Sequence, residues 1–441
     1  MSRWLFSVIT FCASFFCFSL TNAEELKKPL SLNESITIAI NESTSIRAAE
    51  HGIKGADYER KAAGTDFLPK LTTEYNYTRF NEDPHIKDRS YTSDPLDVKI
   101  GEKDRYQWNT YLTQPLFTGG ALTSSYQIAK LGLDMAKKNL SKAKQDIVLQ
   151  VKEAYFRILK VEKIKEVALQ AVEQVKSHVD VAQAFFEAEM IPKNDLLEAQ
   201  VRYAQVKQDL IRADNGVQIA KAYFNTVLRQ DVNEPVEVED ILGYRPEVFS
   251  LKDCLKEARE ERPEMKEANL NLERAQKGVR LAKSRFFPHL SVVTNYQRMG
   301  DHADLRGNPY EDAENWMVST LFSWDVWEWG KKHYQVSARR AKAAQAEELE
   351  KQVGDVIALE VKESYLNLKE AEKNIFVAET AREQAEENSR LNQERYNEQM
   401  ATTTDVLDAQ TLLTEAQNNY YNALSDYHIS KARLERAIGR E

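Results

Sequence analysis

The sequence predicts an α+β membrane protein built of two structural repeats, each a β-hairpin followed by long coiled-coil helices. Three observations predict it. The chain reads as one unit written twice, each copy holds two alternating segments of strand length, and each then enters a long heptad-patterned stretch.

At 441 residues with 42% hydrophobic side chains, the chain can bury a core. With 29% charged residues, it has no internal run of the roughly 20 apolar residues that a spanning helix needs. A net charge of −9 disfavours nucleic acid, whose phosphates require clustered cations. Arg3, the charge-free run Leu5 to Leu20 and then Thr21-Asn22-Ala23 fit a secretory signal peptide over residues 1–23, cleaved after Ala23. Phe11 and Phe16 precede Cys12 and Cys17, which argues against a lipoprotein signal. Only Cys254 then remains, so no intramolecular disulfide forms.

The first repeat is expected over 24–230, a linker over 231–250 and the second repeat over 251–441. Phe67-Leu68-Pro69 aligns with Phe286-Phe287-Pro288, an offset of 288−69 = 219 residues. Further on, Val151-Lys152-Glu153-Ala154-Tyr155 aligns with Val361-Lys362-Glu363-Ser364-Tyr365, and the offset is 361−151 = 210. The first copy therefore carries a loop 219−210 = 9 residues longer, between Pro69 and Gln114.

Each copy opens with an amphipathic helix, expected over about 32–66 and 251–285. Strands follow over about 70–80 and 105–117, and again over about 289–299 and 314–327, where side chains alternate with a two-residue period. Leu71, Thr73, Tyr75 and Tyr77 share one face. Polar loops with Asp83-Pro84, Asp94-Pro95 and Asn308-Pro309 join the strands into hairpins. Helices are expected over about 123–188 and 194–229, then over 330–398 and 403–438. Ile147, Val151, Ala154, Ile158, Val161, Ala168, Val172, Val175, Val179, Ala182 and Phe186 step alternately by four and three, with Lys165 breaking the seam. A helix of that length reaches on the order of 100 Å, more than a globular core requires. Pro192 and the Met400-Ala401-Thr402 segment mark the turns between helices.

Strands of about ten residues suit a tilted crossing of an outer membrane, and Tyr75, Tyr77, Trp108, Trp316 and Trp324 suit its interfaces. Four strands cannot close a barrel. An open edge in lipid leaves backbone groups unpaired at several kcal/mol each, so copies must pool their strands. The rival is a soluble periplasmic coiled-coil scaffold or adaptor capped by two hairpins.

The chain resembles the TolC-like outer membrane efflux family over essentially its whole mature length. Phe67-Leu68-Pro69, Phe286-Phe287-Pro288, Pro115-Leu116-Phe117-Thr118-Gly119-Gly120 and Asp405-Val406-Leu407-Asp408-Ala409-Gln410 carry the resemblance. It implies a homotrimer with a twelve-stranded β-barrel in outer membrane lipid, continued by an α-helical barrel in the periplasm of a Gram-negative cell. It also implies a passive exit duct of a tripartite efflux or type I secretion system, docked on a periplasmic adaptor (a membrane fusion protein). The inner-membrane pump would be of the RND, ABC or MFS type, exporting drugs, metal ions or proteins. By the same resemblance, Asp195, Asp405 and Asp408 are candidates for a periplasmic gate, where trimer symmetry makes rings of like charge and raises carboxylate pKa values. The same acids fit helix starts, Asp195 with Glu198 having capping-box spacing. Met190, Ile191, Met400 and Ala401 are candidate adaptor contacts. The sequence departs from the family where a turn glycine is usual, carrying Glu189 and Gln399 instead.

No enzyme is expected. The seven histidines are scattered, without metal-ligand spacing or a catalytic motif, so neither a metal nor a cofactor is expected.

Overall fold

The computed structural model describes residues 29–88 and 96–440. The expected signal peptide and Asp94-Pro95 lie outside the described residues. The elements run α1 (Leu32–Glu42), α2 (Thr44–Thr65), β1 (Lys70–Arg79), β2 (His85–Asp88), β3 (Leu96–Lys99), β4 (Asp104–Phe117), α3 (Ala121–Glu187) and α4 (Lys193–Leu228). They continue with α5 (Leu251–Glu261), α6 (Pro263–Ser284), β5 (His289–Gly300), β6 (Glu314–Ser323), α7 (Lys331–Asn397) and α8 (Thr403–Ile438).

The leading helix of each copy is two helices rather than one. Ser43 takes an extended conformation and its side chain accepts from the Ile46 amide, so it ends α1 and caps α2. In the second copy Pro263 at the first helical position keeps Arg262 extended, at φ −63° and ψ 126°. Ser31 opens α1 with a reciprocal capping box to Glu34.

Duplication extends into the geometry. Helices α3 and α7 each have 67 residues, and α4 and α8 each have 36. Lys70 opposes Thr113 in the first hairpin and His289 opposes Ser323 in the second, the same pairing after the 219- and 210-residue shifts. Gln114 Nε2 donates to the Phe67 carbonyl at 3.0 Å, and the equivalent Trp324 Nε1 donates to the Phe286 carbonyl at 3.1 Å. Different side chains thus hold the same corner.

One antiparallel sheet has the order β1-β4-β5-β6, which leaves one edge of β1 and one edge of β6 unpaired within the chain. Pro115, lacking an amide hydrogen, sits in β4 where the β4–β5 register shifts between Pro115 and Phe117. β6 ends at Ser323, four residues short of the expected end at 327, so Trp324 lies beyond the strand. The longer first loop contains a two-stranded ribbon, β2–β3, that periodicity did not predict because its strands have four residues each.

The main core lies where the rods of both copies meet α1 and α5. Tyr155, Phe224, Leu228, Val361, Tyr427, Leu434 and Ile438 are buried there with Ala39, Cys254 and Ala258. Segment 231–250, expected as a linker, adds Val236, Leu242 and Phe249 to this core and pairs Val238 with Leu30. The Tyr155 hydroxyl donates to the Glu239 carbonyl at 2.9 Å and lies 3.0 Å from the Leu30 carbonyl. Along the rods, α3 packs on α4 and α7 on α8, and α3 also meets α8. Lys165, the break in the seam, reaches Asp214 of α4 at 2.6 Å.

Glycine is needed at one corner above all. A Cβ on Gly119 (φ 62°) would stand 2.5 Å from the Ser284 carbonyl oxygen and 2.7 Å from Phe287 Cβ. Its counterpart in the second copy is Trp329, also left-handed at φ 52° and 86% exposed.

Candidate functional site

Two regions carry the candidate residues: the sheet and the far tips of the rods. On the sheet, pairing places Leu71, Thr73, Tyr75 and Tyr77 opposite Leu112, Thr110, Trp108 and Tyr106. The same face continues through Val292, Thr294 and Tyr296 of β5 to Thr320, Val318 and Trp316 of β6, and turns charged at one end with Arg298 opposite Glu314. Trp108 Nε1 donates to Thr73 Oγ1 at 2.6 Å, and its ring meets Tyr296 edge-on at 6.4 Å. Tyr77 lies 4.7 Å from Tyr106, centroid to centroid. The opposite face carries Glu74, Asn76, Gln107, Asn109, Asn295, Gln297 and Asn315, interrupted by Tyr111, Val293, Met299, Met317 and Leu321. One face therefore suits lipid and the other water. Tyr75, Tyr77, Trp108 and Trp316 all project from the aromatic face, whereas Trp324 serves the strand-to-helix corner.

At the tips, the two turns have the same backbone. Glu189 and Gln399 are left-handed, at φ 61° and 60°. The Glu189 amide donates to Phe186 O and the Met190 amide to Phe185 O, and the Gln399 and Met400 amides repeat the pattern on Tyr396 O and Arg395 O. This is a Schellman ending, which ordinarily selects glycine because a side chain in that conformation is strained. The turn geometry survives without the glycine. Met190 and Met400 are 48% and 64% exposed, with Ile191 and Ala401 half-buried beside them. Gln399 Nε2 lies 3.8 Å from Met190 Sδ, so the two turns adjoin.

The three aspartates have different settings. Asp405 forms a reciprocal capping box: its carboxylate accepts from the Thr402 amide at 2.8 Å and hydroxyl at 2.7 Å, while its own amide donates to Thr402 Oγ1 at 3.2 Å. Within the single chain these bonds hold its carboxyl below the usual range. Asp195 is the equivalent residue in the first copy, but Pro192 replaces the threonine and offers no side-chain cap. The Asp195–Glu198 capping box suggested by spacing does not form. Glu198 instead accepts from Thr404 Oγ1 at 3.3 Å. Asp408 is exposed and, among the described residues, has no side-chain partner.

Sequence reasoning missed the ties between the two hairpins. Besides Glu198–Thr404, Arg202 donates to Thr411 Oγ1 at 2.7 Å, joining α4 to α8. Each partner lies in the other copy, so no local periodicity signals it. His178 was also missed. It is wholly buried on α3, 4.7 Å from the Tyr396 ring, and neither ring nitrogen has a hydrogen-bond partner.

Against this geometry, the family model described as outer membrane efflux protein matches residues 36–228 and 254–440. The chain belongs to the outer membrane efflux protein family. Among curated relatives, Outer membrane protein TolC of Escherichia coli (strain K12) is 21% identical over 390 residues, spanning 86% of this chain and 76% of that protein. Among solved structures, the Vibrio cholerae outer membrane protein VceC superposes with a TM-score of 0.77 at 18% identity, covering 93% of this chain and 96% of its own. The Campylobacter jejuni CmeC outer membrane channel gives 0.78 at 14% identity, covering 92% and 85%. This outer membrane efflux protein is thus an outer membrane channel with TolC-like repeats, its rods extending into the periplasm of a Gram-negative cell. The family consists of channels, not enzymes.

Proposed function

We propose that three copies of the chain form the passive exit duct of a tripartite efflux or type I secretion system. The carrying observation is the four-stranded sheet with one aromatic face, one polar face and two unpaired edges. In lipid those edges have to be paired, and the homotrimer implied by the family resemblance supplies twelve strands. The rods α3, α4, α7 and α8 of three copies then surround the periplasmic part of the conduit. The exposed methionines of the adjoining turns are suited to a periplasmic adaptor, since flexible thioether side chains adapt to apolar partners. The sequence has no nucleotide-binding motif, so the driving energy would come from an inner-membrane pump.

Light scattering on the detergent-purified protein, combined with planar-bilayer recording, tests the reading. A particle containing three chains that conducts ions supports it. A water-soluble monomer without conductance overturns it in favour of the periplasmic scaffold. Chemical crosslinking in cells, followed by identification of an adaptor joined at Met190 or Met400, tests the docking assignment.

A further inference from the structure

The second copy carries a cluster of charge that the first lacks. We propose that the cleft between α6 and α7, next to the sheet, binds oxyanion groups, phosphate or carboxylate, of cargo passing along the conduit. The conduit assignment rests on the trimeric reading above, whereas the cleft itself belongs to a single chain.

The cleft has a volume of about 810 Å³ and is closed at the sheet end by His289 of β5 and by Asp325 and Glu328 of the strand-to-helix corner. Five cations line it: Arg285, which follows α6, and Lys331, Lys332, Arg339 and Lys342 of α7. Only Asp325 and Glu328 oppose them, in a chain whose net charge is −9. Residues 331, 335, 339 and 342 recur at steps of four, four and three, so one face of α7 presents them to the groove. Lys331 lies 3.4 Å from Glu328, Lys332 donates to the Asp325 carbonyl, and Arg285 Nη1 donates to Gln335 Oε1 at 2.8 Å. Arg339 and Lys342 are exposed and, among the described residues, have no side-chain partner. A guanidinium with an ammonium three residues further on offers several N–H donors from one side, which suits an oxyanion.

The duplication supplies an internal comparison. Under the 219- and 210-residue shifts, Arg285 corresponds to Asp66, Lys331 to Ala121, Lys332 to Leu122, Arg339 to Ala129 and Lys342 to Gly132. Helix α2 packs on α3 there as α6 packs on α7. Helix packing at this corner therefore requires none of the five cations. Like charges close together on one helix face repel, and an anion seated among them offsets that repulsion.

Two observations put the cleft on the polar side of the sheet. His289, opposite Ser323, has the same alternation as Asn295 and Gln297. The exposed aromatics of the same corner, Phe286, Trp324 and Trp327, do not line the cleft. In a barrel the polar side is the water-filled interior, so three clefts would ring the conduit where strands give way to rods.

Calorimetric titration with inorganic pyrophosphate tests the site, using the full protein in phosphatidylcholine nanodiscs at low ionic strength, where screening is weak. Saturable binding of one pyrophosphate per chain is expected. Lys331→Ala, Arg339→Ala and Lys342→Ala together should weaken it by about tenfold or more. The first copy folds with alanine at two of these positions and glycine at the third, so the variant should fold. Arg340→Ala, Lys351→Ala and Lys373→Ala together remove the same charge from α7 outside the cleft and should change affinity by less than about twofold. Absence of saturable binding, or equal loss in both variants, overturns the site. Replacing part of the phosphatidylcholine by phosphatidylglycerol should leave the affinity unchanged; loss of pyrophosphate binding there would give the cleft to a lipid headgroup and overturn the cargo assignment. In planar bilayers under a potassium chloride gradient, the cleft variant should become more cation selective than the control, and an unshifted reversal potential overturns the conduit side. Light scattering separates the two readings. Single chains that bind pyrophosphate through the cleft refute the duct and keep the oxyanion site, and trimers that do not bind it refute the site and keep the duct.

Discussion

Burial of His178 without a hydrogen-bond partner for either ring nitrogen disfavours its charged form and lowers its pKa to about 4. In the unfolded chain the imidazole titrates near its ordinary 6.5. Stability therefore stays level above pH 6.5 and falls as pH drops from there towards 4, by up to about 3 kcal/mol if the whole difference is expressed. His178→Leu removes two unpartnered polar atoms at little change in volume. It is expected to raise stability at pH 7 by about 1 kcal/mol and to flatten the acid limb of a thermal-unfolding series. Asp405 and Asp408 separate capping from charge. Asp405→Ala should cost about 1 kcal/mol through the lost capping box, seen in denaturant unfolding. Asp408→Asn should leave stability unchanged and weaken cation selectivity in bilayer recordings. Unaltered selectivity removes Asp408 from the gate.

At the scale of elements, the rods are held together differently along their length. Apolar seams bind α3 to α4 and α7 to α8, and near the tips one hairpin meets the other both through packing, Leu407 on Val175 and Val206 and Tyr396 on His178 and Phe185, and through polar ties. Opening the periplasmic end by sliding one hairpin past the other has to break Glu198–Thr404 and Arg202–Thr411 while leaving the seams intact. Arg202→Ala combined with Thr404→Val is therefore expected to raise leak conductance several-fold with a change in thermal stability of about 1–2 kcal/mol, since one pair is exposed and the other half-buried and each contributes about 1 kcal/mol. Periodicity made the rods legible: Val151, Ala154, Ile158, Val175 and Ala182 are buried as their spacing requires. The break between α5 and α6 falls at Arg262-Pro263 inside a span expected as one helix, a signal the sequence held but the helical pattern overrode, and the Ser43 break depends on a cap that competes with an otherwise continuous helical pattern. Lys165 was legible as an exception to the seam, but its partner Asp214 lies on another helix and left no trace in the heptads. The family resemblance pointed to Asp405 without choosing between its roles, because Thr402 and Asp405 satisfy capping in one chain and gating is a property of several.

For the whole molecule, strand count carried the argument from sequence to membrane. Two hairpins with an aromatic face are too little to enclose a lumen, and the structure leaves β1 and β6 each with an open edge within the chain. The expected end of the last strand at residue 327 reflects the aromatic pattern of the second copy, and the isolated chain stops at 323 because a strand extends only as far as something lies beside it. Gly119 and Trp329 occupy equivalent left-handed corners in the two copies. Three corners would hold glycine packed against a carbonyl, and the three alternating with them would hold an indole where a Cβ would stand at 2.5 Å if the spacing were copied. Relief to ordinary contact requires those corners to stand about an ångström further apart. A collar of alternately tight and slack corners would be threefold in its mechanics although its sequence repeats six times.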